Sequence, residues 1–182
     1  MRRLQLFVAV SVDGYASARG GDTSWRHPGA EFVAPAWPRV DTILMGRRTY
    51  AAACASGWPH GDRRIVVFSR SGEPPIATPD TVATARAPAD VVADLRARDG
   101  GSIALVAGGT LTAACFAAQL IDDVFVAMHP VLLGGGARWL EGAGASVGLA
   151  MTSERRQPSG VVQLAYRVER GAAILGSAAR PA

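Results

Sequence analysis

Apolar residues fall in short compact runs, separated by glycine, proline and polar clusters, and these runs alternate with stretches of helical character. Leu4–Val12 (LQLFVAVSV), Asp41–Met45 (DTILM), Arg64–Ser69 (RIVVFS), Ser102–Ala107 (SIALVA) and Asp123–Met128 (DVFVAM) are rich in aliphatic residues. Such compact runs predict interior strands of a parallel sheet covered on both faces. Arg48–Ser56, Pro88–Arg98 and Thr110–Leu120 predict helices. The second of these has proline near its start, acids early, arginines late and Gly100-Gly101 beyond, the expected start and stop signals. After Gly136 the pattern changes: Leu149–Gln157 and Val161–Val168 are strand-like and joined by Pro158-Ser159-Gly160, which predicts an antiparallel hairpin. The alternation predicts an α/β fold of three layers, with a mostly parallel central sheet closed by that C-terminal hairpin. Residues 1–170 read as one domain, and the small uncharged residues of 171–182 as a flexible tail.

Composition narrows the chemistry. The chain has 182 residues and a net charge of +4, and all 19 basic residues are arginine. The absence of lysine excludes Schiff-base chemistry, a P-loop lysine and a kinase strand lysine, because each needs an amine that guanidinium cannot replace. Asparagine is absent too, so a GC-rich coding bias accounts for part of the pattern. The two cysteines, Cys54 and Cys115, lie in alanine-rich helical stretches and read as packing residues of a cytoplasmic protein. They and the three histidines form no metal-binding spacing, so no catalytic metal is expected. No apolar run reaches the length of a membrane span. Positive charge is spread along the chain without arginine clusters interleaved with aromatics, a poor fit to nucleic-acid binding.

Candidate chemistry gathers where strands end and helices begin. Gly46-Arg47-Arg48-Thr49 follows one strand and opens a helix. Glycine permits close approach, free amides at a helix start attract an anion, and arginines offer forked donors suited to phosphate. Adjacent arginines can also simply be solvated, although positive charge at a helix start opposes the dipole and calls for an anion. Gly108-Gly109-Thr110-Leu111 repeats the arrangement, and as a bare Gly-Gly turn it carries little by itself. Ser69-Arg70-Ser71 follows a third strand and suits the 2′-phosphate of NADP better than a bare ribose. All three would lie on the sheet edge that lines the ligand crevice of open α/β folds.

The ordered motifs SVDGY (11–15), ILMGRRTY (43–50), VVFSRS (66–71), LVAGGTL (105–111) and HPVLLGGG (129–136), with PSGVVQLAYRV near the end, cover most of residues 1–170. Together they resemble the dihydrofolate-reductase-like superfamily, and within it the reductase domain of the bifunctional riboflavin-biosynthesis deaminase-reductase. The resemblance implies a dihydrofolate-reductase-type sheet of about eight strands, NADPH as hydride donor, a small-molecule substrate and a homodimer. By motif, Gly46, Arg47, Arg48 and Thr49 would hold the cofactor's phosphates, Ser69 and Arg70 its 2′-phosphate side, and Gly108, Gly109, Thr110 and Leu111 its pyrophosphate. A carboxylate near the first strands would assist protonation of a heterocycle: Glu31 is the candidate, with Asp13 of the DG turn as competitor. Asp13, Trp25, Phe32 and His129 are candidates for the substrate side; the aromatic residues, with Trp37, could stack on a planar ring or belong to the core. Trp58 and His60 read as loop. Two departures bear on substrate: Tyr15 stands where riboflavin reductase domains usually have lysine, and Ala107 where they tend to have glutamate. The resulting expectation is an NADPH-dependent reductase of a pterin- or pyrimidine-like heterocycle. The alternatives are the 5-amino-6-(5-phosphoribosylamino)uracil reductase of riboflavin biosynthesis and a nucleotide-binding protein without turnover.

Overall fold

The computed structural model describes residues 1–27, 36–57, 61–74, 76, 80–142 and 146–170. In chain order these form β1 (Leu4–Ser11), β2 (Tyr15–Ser17), β3 (Val40–Gly46), α1 (Arg47–Ala55), β4 (Arg64–Phe68), β5 (Thr81–Thr84), α2 (Pro88–Arg96) and β6 (Ser102–Val106). They continue with α3 (Thr110–Ala117), β7 (Asp123–His129), β8 (Ala137–Arg138), β9 (Gly148–Arg156) and β10 (Val162–Glu169). Eight strands make one sheet in the order β5-β4-β3-β6-β1-β7-β10-β9. The strands from β5 to β7 are mutually parallel, and β10 and β9 are antiparallel. The expected α/β sheet with its terminal hairpin is therefore present.

All of β1 is buried because it lies between β6 and β7 with helices over both faces. Leu4, Leu6, Val8 and Val10 point into one layer with Leu44, Val66, Leu105, Val91, Val92 and Leu95 of α2, and Cys115 and Phe116 of α3. Phe7 points the other way, to Ile43, Met45, Ile65, Val67 and Tyr50 of α1. A parallel strand covered on both faces must be apolar at successive positions, which is why its sequence lacks alternation. Buried Tyr50 also ties α1 to the edge strand through a 3.0 Å hydrogen bond between its hydroxyl and that of Thr81.

Four elements differ from expectation. β5 (TVAT) has no apolar run because it is a short, half-exposed edge strand. β2 and β8, three and two residues long, form a small separate sheet that pairing across distant loops creates. Helix α3 stops at Ala117, short of the expected Leu120. The amide of Leu120 donates to Cys115 O at 3.0 Å and that of Gln119 to Phe116 O at 2.9 Å, a Schellman closure with Gln119 at φ 53° in the position usually held by glycine.

Charges close the amino-terminal edge of the sheet. Arg2 bonds Asp41 and, at 2.9 Å, Thr42; Arg3 bonds Asp123 at 2.5 Å. Arg96 and Arg170 both reach Asp122 at 2.7 Å. Asp122 also accepts the Leu4 amide at 2.8 Å. Burial pushes the Asp122 carboxyl up, but the Leu4 amide and the two guanidinium groups outweigh it and hold the group below the ordinary carboxylate value.

Both cysteines are free and helical as expected; Cys115 is in the core, where burial pushes its thiol up to about 12. Among the described residues no helix is long and apolar enough to cross a membrane, and no group of His, Cys, Asp and Glu could hold a metal. Residues 171–182 lie outside the described residues.

Candidate functional site

β3 and β6 are neighbours, yet the helices that follow them pack on opposite faces: α1 in the Phe7 layer and α3 in the Leu105 layer. A crevice opens at the carboxyl ends of two such strands, because the outgoing chains diverge there. Both helices start with a glycine N-cap, Gly46 and Gly109, and neither has a side-chain cap or an acid in its first turn. The opening amides of Arg47, Arg48 and Thr49, and of Thr110, Leu111 and Thr112, have no partner within their helices. A Cβ built on Gly46 or Gly109 would meet nothing within 4 Å, so both glycines front open space. Gly109 sits at φ 60°, ψ −128°, a conformation that glycine alone adopts readily. Its amide donates to Trp139 O at 3.2 Å. Gly108 is different: it lies against β2, where a Cβ would stand in ordinary contact, 3.5 Å from Ala16 Cβ. The side chain of Leu111 packs on the core.

Beside these helix starts, Arg47 Nη1 donates to Ser71 Oγ at 3.2 Å, and Ser71 and buried Ser69 share a 2.9 Å hydroxyl contact. Arg48 and Arg70 are exposed. Among the described residues none of Arg47, Arg48 and Arg70 has an acidic partner, whereas Arg2, Arg3, Arg96 and Arg170 at the opposite edge are each paired with an aspartate. Arg2, Arg3, Arg96 and Arg170 at the amino ends of the strands are thus neutralised, whereas Arg47, Arg48 and Arg70 at the carboxyl ends are not compensated by an acid among the described residues. Such an edge attracts anions.

Asp13 lies at the end of β1 and fastens the loop after β7. Its carboxylate accepts from Ser11 Oγ at 2.6 Å, from the Leu133 amide at 3.1 Å and from the Gly134 amide at 2.7 Å. The Ser11 hydroxyl, with these amides, holds its carboxyl down to about 2. This loop then pairs as β8 with β2. Gly136 is obligatory, because a Cβ there would lie 1.9 Å from Ser17 O and the backbone is at φ 137°. The pairing sets the Arg138 guanidinium over the Tyr15 ring, 4.9 Å from its centroid.

His129 ends β7 opposite Ser11 of β1 and is 1% exposed. Its Nδ1 accepts the His27 amide at 3.2 Å. The Trp25 ring meets it edge-on with centroids 5.3 Å apart, and the His27 ring stacks on it at 5.9 Å. Arg26 donates to Ala16 O and lies 5.4 Å from the Trp25 centroid. Burial pushes His129 down to about 4, and the His27 and Arg26 charges act in the same direction.

The structure thus gathers Gly46 to Thr49, Ser69 to Ser71 and Gly108 to Leu111 at one sheet edge, with Asp13 and His129 at the ends of the two neighbouring strands and Trp25, from the segment after β2, packed on His129. Trp37 stands apart from these, edge-on to core Phe7 at 5.1 Å. Glu31, Phe32, Trp58 and His60 lie outside the described residues. His27, Arg138 and Trp139 enter the site without a motif to announce them, because each is defined by a contact with a distant segment.

The chain matches the model of the RibD C-terminal domain over residues 2–163. Its fold is similar to that of a Shewanella sp. PV-4 protein that carries the name of a riboflavin biosynthesis protein, with TM-score 0.80, 25% identity and coverage of 92% of this chain and 99% of that one. It is also similar in fold to the Thermotoga maritima diaminohydroxyphosphoribosylaminopyrimidine deaminase/5-amino-6-(5-phosphoribosylamino)uracil reductase, with TM-score 0.67, 15% identity and coverage of 92% and 56%. A third similar fold is dihydrofolate reductase from Enterococcus faecalis complexed with NADP(H) and RAB-propyl, with TM-score 0.66, 15% identity and coverage of 92% and 97%. The architecture is thus that of dihydrofolate reductase, and by the match over nearly its whole length the chain belongs to the RibD C-terminal domain family.

Proposed function

We propose that this protein is an NADPH-dependent reductase of a small planar heterocycle. The observation that carries the reading is the pair of uncapped, glycine-started helices flanking one crevice, beside three arginines with no acidic partner among the described residues. The residues fit a dinucleotide: Gly46 and Gly109 leave room for close approach, and the helix amides are donors for a pyrophosphate. Gly46, Arg47, Arg48 and Thr49 hold one side of it, and Gly108 to Leu111 the other. Ser69, Ser71 and Arg70 address the 2′-phosphate, which distinguishes NADPH from NADH. When bound, the cofactor supplies the hydride.

The protein's own part is to orient and to handle a proton. Asp13, held ionised by Ser11 and the Leu133 and Gly134 amides, keeps the β7 loop in place rather than giving up a proton at neutral pH. His129, Trp25 and Phe32 form the substrate side, and Glu31 supplies the proton, a role that rests on its place in the sequence resemblance. Family membership favours a pyrimidine of the riboflavin-biosynthesis type over a pterin. The Arg138 guanidinium above Tyr15 favours a phosphoribosylamino substituent, since it presents a cation at the rim where riboflavin reductase domains usually have lysine. We place the enzyme in the cytoplasm, in keeping with its free thiols, and assign it a homodimer on the family resemblance.

The test is NADPH oxidation with dihydrofolate, a dihydropterin and 5-amino-6-(5-phosphoribosylamino)uracil. Turnover of the last supports the riboflavin-type reaction and turnover of a pterin the alternative. NADPH binding without turnover of any supports a binding protein instead.

A further inference from the structure

Within the reading just given, His129 carries a more specific assignment. Its Nδ1 accepts a hydrogen bond from the His27 amide at 3.2 Å. A nitrogen that accepts bears no hydrogen, so the neutral imidazole carries its hydrogen on Nε2. The ring is 1% exposed, and Nε2 is buried with no hydrogen-bond partner among the described residues. A buried N–H without an acceptor is rare in a folded protein and calls for an explanation, of which a ligand that completes the pair is one. The ring cannot turn away, because the His27 amide fixes one side and the Trp25 edge and His27 ring pack on it at 5.3 and 5.9 Å. Burial, with the Arg26 guanidinium acting in the same direction, keeps the imidazole neutral.

We propose that His129 is a specificity-determining residue that donates Nε2–H to a ring carbonyl oxygen of the heterocyclic substrate. A neutral donor without a countercharge suits a neutral acceptor and not a phosphate or carboxylate, which the arginine-lined part of the edge takes. A lactam carbonyl, found in uracils and in oxidised-type pterins alike, is such an acceptor. Its replacement by an exocyclic amino group turns the contact into two opposed donors, and a site built around a hydrogen bond rejects such an analogue strongly. His129 is thereby a reader of oxo against amino heterocycles, not the proton donor.

The test uses the full chain and two matched probes, 5,6-diaminouracil and 2,4,5,6-tetraaminopyrimidine, in which both ring oxo groups have become amino. With 15N-labelled histidine, the NMR spectrum at neutral pH is expected to show His129 protonated on Nε2 and bare on Nδ1. The wild type is expected to bind the uracil at least about tenfold more tightly than the tetraamine. His129→Phe, which keeps a ring but loses the donor, abolishes that preference while NADPH affinity stays the same. His129→Gln, which restores an N–H at similar reach, recovers part of it. A hydrogen found on Nδ1, or a preference unchanged in His129→Phe with NADPH affinity intact, overturns the assignment alone. A wild type that binds NADPH but neither probe overturns the heterocycle reading and this assignment with it. Should His129→Phe fail to bind NADPH, the tautomer and the His129→Gln preference decide.

Discussion

The neutral, buried state of His129 makes a quantitative claim about stability. In an unfolded chain its imidazole titrates near 6.5, and in the fold near 4. A depressed folded value means that the unfolded chain takes up a proton first as the pH falls. The stability conferred by keeping this ring neutral is complete above about 6.5 and is lost as pH drops toward about 4. At about 1.4 kcal/mol for each pH unit of that gap, the whole linkage comes to roughly 3–4 kcal/mol, of which roughly 2 kcal/mol is lost between pH 8 and pH 5. The assay is urea unfolding followed by tryptophan fluorescence at pH 8, 6 and 5, for wild type and His129→Phe. Other titrating groups, including Asp13 and Asp122 whose depressed values act at lower pH, are common to both proteins and cancel in the difference. The wild type is expected to lose roughly 2 kcal/mol more than the variant across that range. Parallel curves would show that the ring is charged or solvated in the fold, against its burial as a neutral group.

Asp122→Asn strips the countercharge from Arg96 and Arg170 while keeping an acceptor for the Leu4 amide, and is expected to cost roughly 2–4 kcal/mol in urea unfolding; a change within experimental error would show that the amino-terminal charge cluster is not structural. Arg70→Ala is expected to weaken NADPH binding about tenfold and to leave NADH binding unchanged, read by fluorescence titration; equal losses for both would remove the 2′-phosphate assignment. Gly136→Ala drives a methyl group into Ser17 O at a backbone angle of 137°, so a loss of about 2 kcal/mol or more is expected in thermal unfolding, and an unaltered Tm would show that β8 yields freely.

How far the sequence carries depends on how local the determining contacts are. β1, β3, β4, β6 and β7 are legible as apolar runs because each is covered on both faces. β5 escapes because an edge strand need not be apolar, and the end of α3 because Gln119 takes the left-handed position without a glycine to mark it. In the candidate site, the strand-to-helix glycines and their arginines are legible because cap and charge signals lie within a few residues of each other. The anchoring of Asp13 by the Leu133 and Gly134 amides, and the fixing of His129 by the His27 amide, join segments more than a hundred positions apart. A motif shows Asp13 as a turn residue and His129 as an isolated polar residue on an apolar strand. Only the folded contacts distinguish a loop fastener from an oriented donor.

The most direct test of the cofactor crevice is the crystal structure of the chain with NADP+. The pyrophosphate is expected between the first turns of α1 and α3, against Gly46 to Thr49 and Gly108 to Leu111, with the 2′-phosphate beside Ser69, Arg70 and Ser71. A nucleotide seated elsewhere, or no nucleotide bound at millimolar concentration, would contradict it.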